Sequence, residues 1–330
     1  MSNKIATILL AVAGGVALGC AHLNKVGSLE NTASFAPVVD STQFRIELGK
    51  QLFYDPILSR DSTISCATCH LQERAFTDGL TTSRGIKDRI VRRNSPTLTN
   101  VLNRKHLLLD GVNPSLESQV GVPVQEHSEF DFNILLILDR LAAQPKYVEL
   151  AKKGYGSAIT EFVFVNSIAS FERTLISDNS PYDQYKNGDT TALNASQKRG
   201  MHLFFDELYC AKCHNGPDFT NERFTNNGLY EVYKDDGRMR LTEKPEDQGI
   251  FRVPTLRNIA VTGPYMHDGS IKSLYEVIQH YSSGGSSHKG RAAEIKPFQL
   301  SQDERLDLIH FLEALTDSSF LTNPEFRVNP

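Results

Sequence analysis

Four of the five cysteines lie in two copies of one short motif, "CATCH" at 66–70 and "CAKCH" at 210–214. The spacing C-x-x-C-H is the attachment signature of a c-type haem. Two thiols three residues apart on a helical turn both reach the vinyl groups of one porphyrin, and the histidine that follows is directed at the iron. We therefore predict two covalently bound haems c. The attachment residues are Cys66, Cys69, Cys210 and Cys213, and the iron-ligating histidines are His70 and His214.

Two other kinds of site use the same residue types. Structural zinc is typically held by C-x-x-C pairs about 15–20 residues apart, whereas more than a hundred residues separate these two. A thioredoxin-like redox pair needs a βαβ context, and neither flank shows strand alternation. Haem attachment is the favoured interpretation.

The bulk composition is that of an ordinary globular protein. The chain has 330 residues, 40% of them apolar, and a formal net charge of −4. This length predicts about two domains, and the charge gives no cationic excess for nucleic-acid binding. A protein partner can still dock through local charge patches, which a net value hides.

The first twenty residues have the layout of a secretory signal. Lys4 precedes an apolar run over 5–18, which is too short to span a bilayer comfortably, and the segment ends at Gly19-Cys20. "ALGC" resembles a lipobox, which makes Cys20 a candidate lipidation site and 21–41 a polar tether. We expect a periplasmic protein, with lipid anchoring to a membrane as an open alternative. Export also suits haem attachment, which in bacteria takes place outside the cytoplasm.

The elements that position the motifs are predicted to be helices with long loops. Apolar residues follow a helical period over 44–56, over 131–153 with a break before Pro145, and over 159–176. Near the end, Ser301 and Glu304 have capping-box spacing ahead of an amphipathic segment.

The two halves of the chain repeat one pattern. "IELGKQLFYDPILSRDSTISCATCH" and "SQKRGMHLFFDELYCAKCH" each combine a glycine, a Leu-Phe pair, an acidic step and the motif. We predict an all-α fold with two cytochrome c-like haem domains related by duplication, over 42–185 and 186–330. The polar segment 178–196 is the predicted linker.

Several long stretches resemble the bacterial di-haem cytochrome c peroxidase family, which includes the MauG-type enzymes. They include "ELGKQLFYDPILSRD", "RRNSPTLTNV", "VPTLRNIAVTGPYMHDGS" and "FLTNPEF", and the resemblance covers nearly all of the chain after residue 40. It implies that the first haem reduces hydrogen peroxide and that the second receives electrons from a small donor such as a cytochrome c. It also implies that the C-terminal tail packs back on the first domain. A homodimer is an open alternative.

The resemblance places the distal acid–base group in "LDGVNPSLESQVGVPVQEHSEF". Glu129 matches the family's glutamate, which moves protons during peroxide cleavage, and Gln119 matches its hydrogen-bonding glutamine. Glu126 and His127 are close enough in sequence to be alternatives.

This sequence departs from the family pattern at three positions. Ile86 stands eight residues before Asn94, where reductively activated members carry a histidine that blocks the iron, so we predict a first haem open at rest. Tyr281, fourteen residues after His267, replaces the methionine ligand of the second haem, as in the MauG branch. A tyrosinate ligand favours oxidised iron and predicts a low potential; Met266 and His280 are the alternative ligands. Leu109 replaces the family's inter-haem tryptophan, and the chain contains no Trp.

The family also binds a calcium ion between its haems through an asparagine side chain and two backbone carbonyls. The matching positions are Asn94, Thr262 and Pro264, and such oxygen ligands suit a hard cation.

Two further functions remain open beside peroxide reduction. A MauG-like oxidase acting on a protein or small molecule is favoured by Tyr281 and by the missing histidine, while the absent tryptophan counts against it. A di-haem electron carrier requires both irons to be six-coordinate.

Overall fold

Helices dominate residues 40–328, the part of the chain that the structure, a computed structural model, describes. The predicted signal segment 1–20, Cys20 and most of the tether lie outside these residues. The helices are α1 (Ser41–Tyr54), α2 (Cys66–Cys69), α3 (Leu116–Gln125), α4 (Ile134–Ala142), α5 (Pro145–Tyr155), α6 (Glu161–Glu172), α7 (Pro181–Lys186), α8 (Ala195–His202), α9 (Met239–Thr242), α10 (Leu274–Ser282), α11 (Gln302–Glu313) and α12 (Ser318–Thr322). Two short strands, β1 (Phe224–Thr225) and β2 (Phe251–Arg252), pair antiparallel.

The helices expected from the sequence are confirmed, and local chemistry sets their ends. The Asp40 side chain accepts a hydrogen bond from the Thr42 amide and caps α1. α5 begins at Pro145, whose missing N–H is tolerated in a first turn. Ser301 and Glu304 form the expected capping box of α11. The predicted linker 178–196 differs from expectation in containing α7, which Ser180 and Asp183 cap reciprocally.

The first hydrophobic core lies around α1, α5 and α6. α1 approaches α6 so closely that a Cβ at Gly49 would overlap the Ser167 carbonyl oxygen. Phe53, at the end of this contact, meets Phe171 edge-on with ring centroids 5.2 Å apart. Glycine is therefore the residue that the helix crossing requires.

The second core repeats this arrangement around α8 and α11. A Cβ at Gly200 would overlap the Asp307 carbonyl oxygen, and the rings of Phe204 and Phe311 are 5.3 Å apart. In each half, the helix that precedes C-x-x-C-H thus packs through a glycine and a phenylalanine on a second helix.

The C-terminal segment returns to the first core. Phe320 and Phe326 are buried there beside Phe76. Gln72 donates hydrogen bonds from Nε2 to the carbonyl oxygens of Phe320, at 3.2 Å, and Asn323, at 2.8 Å. The last helix is therefore fixed beside the first C-x-x-C-H motif.

A buried ion-pair network joins the two halves. Arg93 donates to Asp110 at 2.8 Å and to both carboxylate oxygens of Asp235 at 2.7 and 2.8 Å. Arg240 donates to Asp110 at 2.7 Å.

Within residues 40–328, no helix is long and apolar enough to cross a membrane.

Candidate haem sites and distal pocket

The first C-x-x-C-H motif forms a single helical turn. The Ser65 amide donates to the Thr68 hydroxyl at 3.0 Å, and the His70 amide donates to the Cys66 carbonyl at 3.0 Å. Cys66 and Cys69 form no disulfide, so both sulfur atoms can form thioether bonds. The turn therefore presents both thiols and the histidine as one unit.

Both motif histidines are oriented by a backbone carbonyl. His70 Nδ1 lies 2.7 Å from the Phe76 oxygen, and His214 Nδ1 lies 3.1 Å from the Phe219 oxygen. Because a carbonyl only accepts, Nδ1 carries the hydrogen in each ring and Nε2 keeps its lone pair. Burial lowers the pKa of His70, and it lowers the pKa of His214 to about 4. Both rings are therefore neutral and suited to ligate iron through Nε2.

The residues present fit haem c. Each motif supplies two free thiols and one neutral, oriented imidazole. Among residues 40–328, no group of three or more His, Cys, Asp or Glu side chains is arranged to hold a metal ion, so the cysteine pairs do not converge on a zinc site. Cys66, Cys69 and His70 would hold the first haem, and Cys210, Cys213 and His214 the second.

The predicted distal residues lie on α3 and on the loop that follows it. Gln119 lies on α3, and Glu129 lies beyond its end, where the Phe130 amide donates back to the Pro123 carbonyl at 3.1 Å. Burial, and then the like charge of Glu126, raise the pKa of Glu129 to about 7. Conversely, the Glu129 carboxylate raises the pKa of both Cys66 and Cys69, although burial is the larger cause. Glu129 therefore lies close enough to both thiols to influence their ionisation.

The two alternatives to Glu129 lie on the surface of this loop. Glu126 is exposed and accepts from the Ser128 amide at 3.3 Å and the Ser128 hydroxyl at 3.2 Å. His127 is exposed, and its Nδ1 lies 3.2 Å from Asp131. Neither residue has the burial of Glu129.

Ile86 is fully buried, with 0% of its surface exposed. It follows Gly85 in the loop 83–91, which packs on the Glu129 loop. The sequence has no histidine between His70 and His106, so this loop has no imidazole to offer the iron.

Tyr281 lies on α10 close to the second motif. Burial raises the pKa of Tyr281 to about 12, and the nearby Asn227 side chain partly opposes this rise. Both alternative ligands also lie against Asn227: its Nδ2 donates to Met266 Sδ at 3.2 Å, and His280 Nε2 lies 3.1 Å from its backbone carbonyl oxygen. Asn227 therefore lies near all three candidates.

The region of the missing tryptophan contains a different aromatic group. Phe251 stacks on His267 with ring centroids 4.2 Å apart and an interplanar angle of 18°. The Arg93 guanidinium lies 5.5 Å from the Phe251 ring centre, and the Leu109 carbonyl accepts from the Arg252 amide at 2.7 Å. A phenylalanine–histidine stack therefore lies close to Leu109 in the fold.

The predicted calcium residues lie near an open pocket of about 610 Å³, lined by Thr81, Pro264 and Lys272 among others. The Asn94 amide donates to the His267 carbonyl at 2.9 Å, and its side chain donates to the Leu80 carbonyl at 2.8 Å. The Thr262 hydroxyl donates to the Ile259 carbonyl at 3.3 Å. Asn94 and Pro264 therefore reach one junction, but the three predicted residues share no hydrogen bond with one another.

Sequence analysis missed one buried acid beside the first site. Glu172 is 5% exposed, its Oε2 has no hydrogen-bond partner within the described residues, and burial raises its pKa to about 8. It also raises the pKa of Cys66, after the effect of burial. Its helix also carries Glu161 and Asn166, so no sequence pattern marked Glu172 as the buried acid.

Comparison with known proteins agrees with this geometry. Residues 43–191 match the family model described as di-haem cytochrome c peroxidase. The methylamine utilization protein MauG of Methylorubrum extorquens is 36% identical over 289 residues, which is 86% of this chain and 82% of that protein. Cytochrome-c peroxidase IdrP1 of Pseudomonas sp. strain SCT is 36% identical over 314 residues, covering 85% of this chain and 83% of that protein.

A solved structure gives the same result for the fold. The crystal structure of a MauG-like protein associated with microbial copper homeostasis superposes with a TM-score of 0.83 at 32% identity. The match covers 86% of this chain and 92% of that one. With relatives this similar along most of their length, membership implies two haems c, and the chain belongs to the di-haem cytochrome c peroxidase family.

Proposed function

We propose that this protein reduces hydrogen peroxide to water with electrons from a small donor protein such as a cytochrome c. Relatives named cytochrome-c peroxidase support this assignment. The observation that carries it is Glu129, a partly buried carboxyl with a pKa of about 7 that borders the first C-x-x-C-H turn. A general acid–base group works best when its pKa lies near the operating pH.

The haem iron would supply the redox chemistry of O–O cleavage at the His70 site. Glu129 accepts the proton of the incoming peroxide on a carboxylate oxygen and returns it to the leaving oxygen. Since its pKa is about 7, both protonation states are populated near neutral pH. Gln119 serves as a hydrogen-bonding partner in the same pocket.

We infer that the first haem is open at rest. His70 Nε2 is the one ligand that the first motif supplies, and Ile86 stands where a blocking histidine would be. Peroxide then needs no prior reduction of the second haem to gain access.

We assign the second haem to electron entry; His214 and Tyr281 would hold its iron. The burial of Tyr281 close to the second motif supports this choice. A phenolate ligand stabilises ferric iron and lowers the potential.

We infer an all-α fold in which domains 42–185 and 186–330 arose by duplication. The paired glycine contacts of Gly49 and Gly200 and the paired carbonyl contacts of His70 and His214 support it. The return of Phe320 and Phe326 to the first core supports a tail that stabilises the first domain.

A calcium ion held by Asn94 and the carbonyls of Thr262 and Pro264 is a further part of the proposal. It is supported by the common junction that Asn94 and Pro264 reach. We place the protein in the periplasm on the basis of segment 1–20, with lipidation of Cys20 and homodimer formation as open alternatives.

A second function, MauG-like oxidation of a protein or small molecule, is favoured by Tyr281 and by the MauG relatives. Peroxide consumption by the oxidised protein, with and without reduced cytochrome c, distinguishes the two. Peroxidase activity requires stoichiometric oxidation of the cytochrome and loss of turnover in Glu129→Gln. An electron carrier would consume no peroxide.

A further inference from the structure

We propose that Arg89 is a positioning residue for Glu129: through Asp131 and His127 it fixes the loop on both sides of the distal carboxyl. We call these contacts the Arg89 clamp. The inference rests on the proposed role of Glu129 and adds Arg89 and Asp131, which lie outside the stretches that carry the family resemblance.

The clamp starts from a single nitrogen atom. Arg89 Nη1 lies 2.9 Å from Asp131 Oδ2 and 2.7 Å from the His127 carbonyl oxygen. These two partners stand two residues after and two residues before Glu129. One guanidinium therefore holds both ends of the segment that carries the carboxyl.

Backbone contacts continue the clamp between its two ends. The Ile86 amide donates to the Glu129 carbonyl oxygen at 2.9 Å. A Cβ at Gly85 would overlap the Ser128 carbonyl oxygen, so glycine permits this approach. The loop 85–89 thus contacts residues 127, 128, 129 and 131.

Arg60 supports the same carboxylate from the other side. Its Nε donates to the Asp131 carbonyl oxygen at 2.6 Å and its Nη2 to Oδ1 at 3.2 Å. Asp131 has a φ of 50°, a left-handed conformation that is costly for a residue with a Cβ. Hydrogen bonds from Arg89, and then those from His127 and Arg60, hold the pKa of Asp131 far below its usual range despite partial burial.

These contacts act on geometry more than on global stability, because partly exposed ion pairs contribute little to unfolding free energy. Freed of the clamp, the Glu129 segment is expected to sample positions in which water reaches the carboxyl. The titratable groups that act on the Glu129 carboxyl are Glu126 on its own loop and the Cys66 and Cys69 thiols of the first motif. Arg89 and Arg60 contact Asp131, two residues further along the chain.

The test compares Arg89→Ala, Arg89→Lys and Arg84→Ala in the holoprotein. Arg84 lies on the same loop and donates within it, to the Asp88 carbonyl at 3.2 Å, so it is the matched control. A lysine ammonium can replace the single nitrogen that makes both clamp contacts. The readouts are amide hydrogen exchange over 126–132 and at Ile86, and the pH profile of peroxide turnover.

We expect Arg89→Ala to speed exchange in this segment about tenfold or more, as local opening becomes easier, while Arg89→Lys and Arg84→Ala stay near the parent. The acid-limb midpoint should fall below 7 in Arg89→Ala, because an exposed carboxyl titrates at a lower pH. If Arg89→Ala acted only by removing a positive charge, the midpoint would rise. The direction in which the midpoint moves therefore shows whether the substitution exposes the Glu129 carboxyl to water or only removes a charge.

Asp131→Asn is the second clamp variant, for use also if Arg89→Ala loses haem, and it should increase exchange in the same segment. Parent-like exchange and midpoint in the clamp variants, or equal effects in Arg84→Ala, would overturn the inference. Full turnover in Glu129→Gln would overturn the proposed function instead, and would leave the exchange result standing.

Discussion

The backbone amide of Ile86 donates a 2.9 Å hydrogen bond to the carbonyl oxygen of Glu129. This bond joins the loop that lacks a blocking histidine to the loop that carries the distal carboxyl. Access to the first iron and placement of the proton-transfer group are therefore set by one packed pair of loops.

Glu129→Gln should leave both haems attached and lower peroxide turnover by about 10²–10⁴-fold, because the amide cannot accept and return the proton. Steady-state oxidation of reduced cytochrome c measures this loss. Glu126→Gln, which alters an exposed carboxyl three residues away, is the control and should retain turnover within about threefold. An equal loss in both variants would contradict the assignment.

Peroxide turnover should rise with pH through a midpoint of about 7, the pKa of Glu129. The sign follows because the base form, which takes the proton from peroxide, is populated above the pKa. Glu126 is the second cause of the raised pKa, so Glu126→Gln should lower the midpoint by less than about one pH unit. A profile of kcat/KM against pH checks both values, and a midpoint near 4.5 would contradict a buried acid–base group.

Tyr281→Phe should change the spectrum of the second haem and raise its reduction potential, because it removes the phenolate that stabilises ferric iron. Met266→Leu is the matched comparison, since Met266 is an alternative ligand and accepts a hydrogen bond from Asn227. A spectroelectrochemical titration of both variants measures the potentials. The ligand assignment would be reversed if Met266→Leu moved the potential and Tyr281→Phe did not.

Arg93→Ala should destabilise the protein by about 3 kcal/mol, because it takes a partner from the fully buried Asp110 and from Asp235. Arg92→Ala is the control: Arg92 is exposed and lies 4.0 Å from Asp235, so the cost should stay within about 0.5 kcal/mol. Urea unfolding at neutral pH measures both. Equal losses of unfolding free energy in the two variants would mean that the ion-pair network does not depend on Arg93.

The difference in unfolding free energy between the parent and Arg93→Ala should depend on pH, and the sign of this dependence can be derived. Burial raises the pKa of Asp235, but hydrogen bonds from Arg93 and Gly237 outweigh it and hold the pKa at about 2. A lowered folded-state pKa stabilises the protein above the unfolded value of 3.8, and this contribution is lost as pH falls through 2. The gap between parent and Arg93→Ala should therefore narrow in acid.

The covalent motifs and the main helices were predictable from the sequence because their determinants are local. Three signals illustrate this: the C-x-x-C-H spacing, the helix break at Pro145 and the Ser301–Glu304 capping box. Each of them involves only residues that are a few positions apart in the sequence. The helix crossing at Gly49 could be inferred only indirectly, because a glycine in a helical pattern does not show which helix packs against it. Its repetition before the second motif was the useful clue.

The Arg89 clamp and the Arg93 ion-pair network were not predictable, because they depend on pairs of residues that are distant in sequence. Arg89 and Asp131 are separated by 42 residues, and Arg93 and Asp235 by 142. Charged side chains at such separations have no periodicity to mark them. The burial of Glu172 was not predictable either. The sequence does not distinguish a buried glutamate from one on an exposed helix, although only the buried one has a desolvation penalty.

The most direct test is the EPR spectrum of the fully oxidised protein, recorded before and after one equivalent of hydrogen peroxide without added reductant. We expect one high-spin ferric signal, from the haem held by His70, and one low-spin signal. Peroxide should remove the high-spin signal without prior reduction of the second haem. Two low-spin signals that do not respond to peroxide would contradict a first haem open at rest.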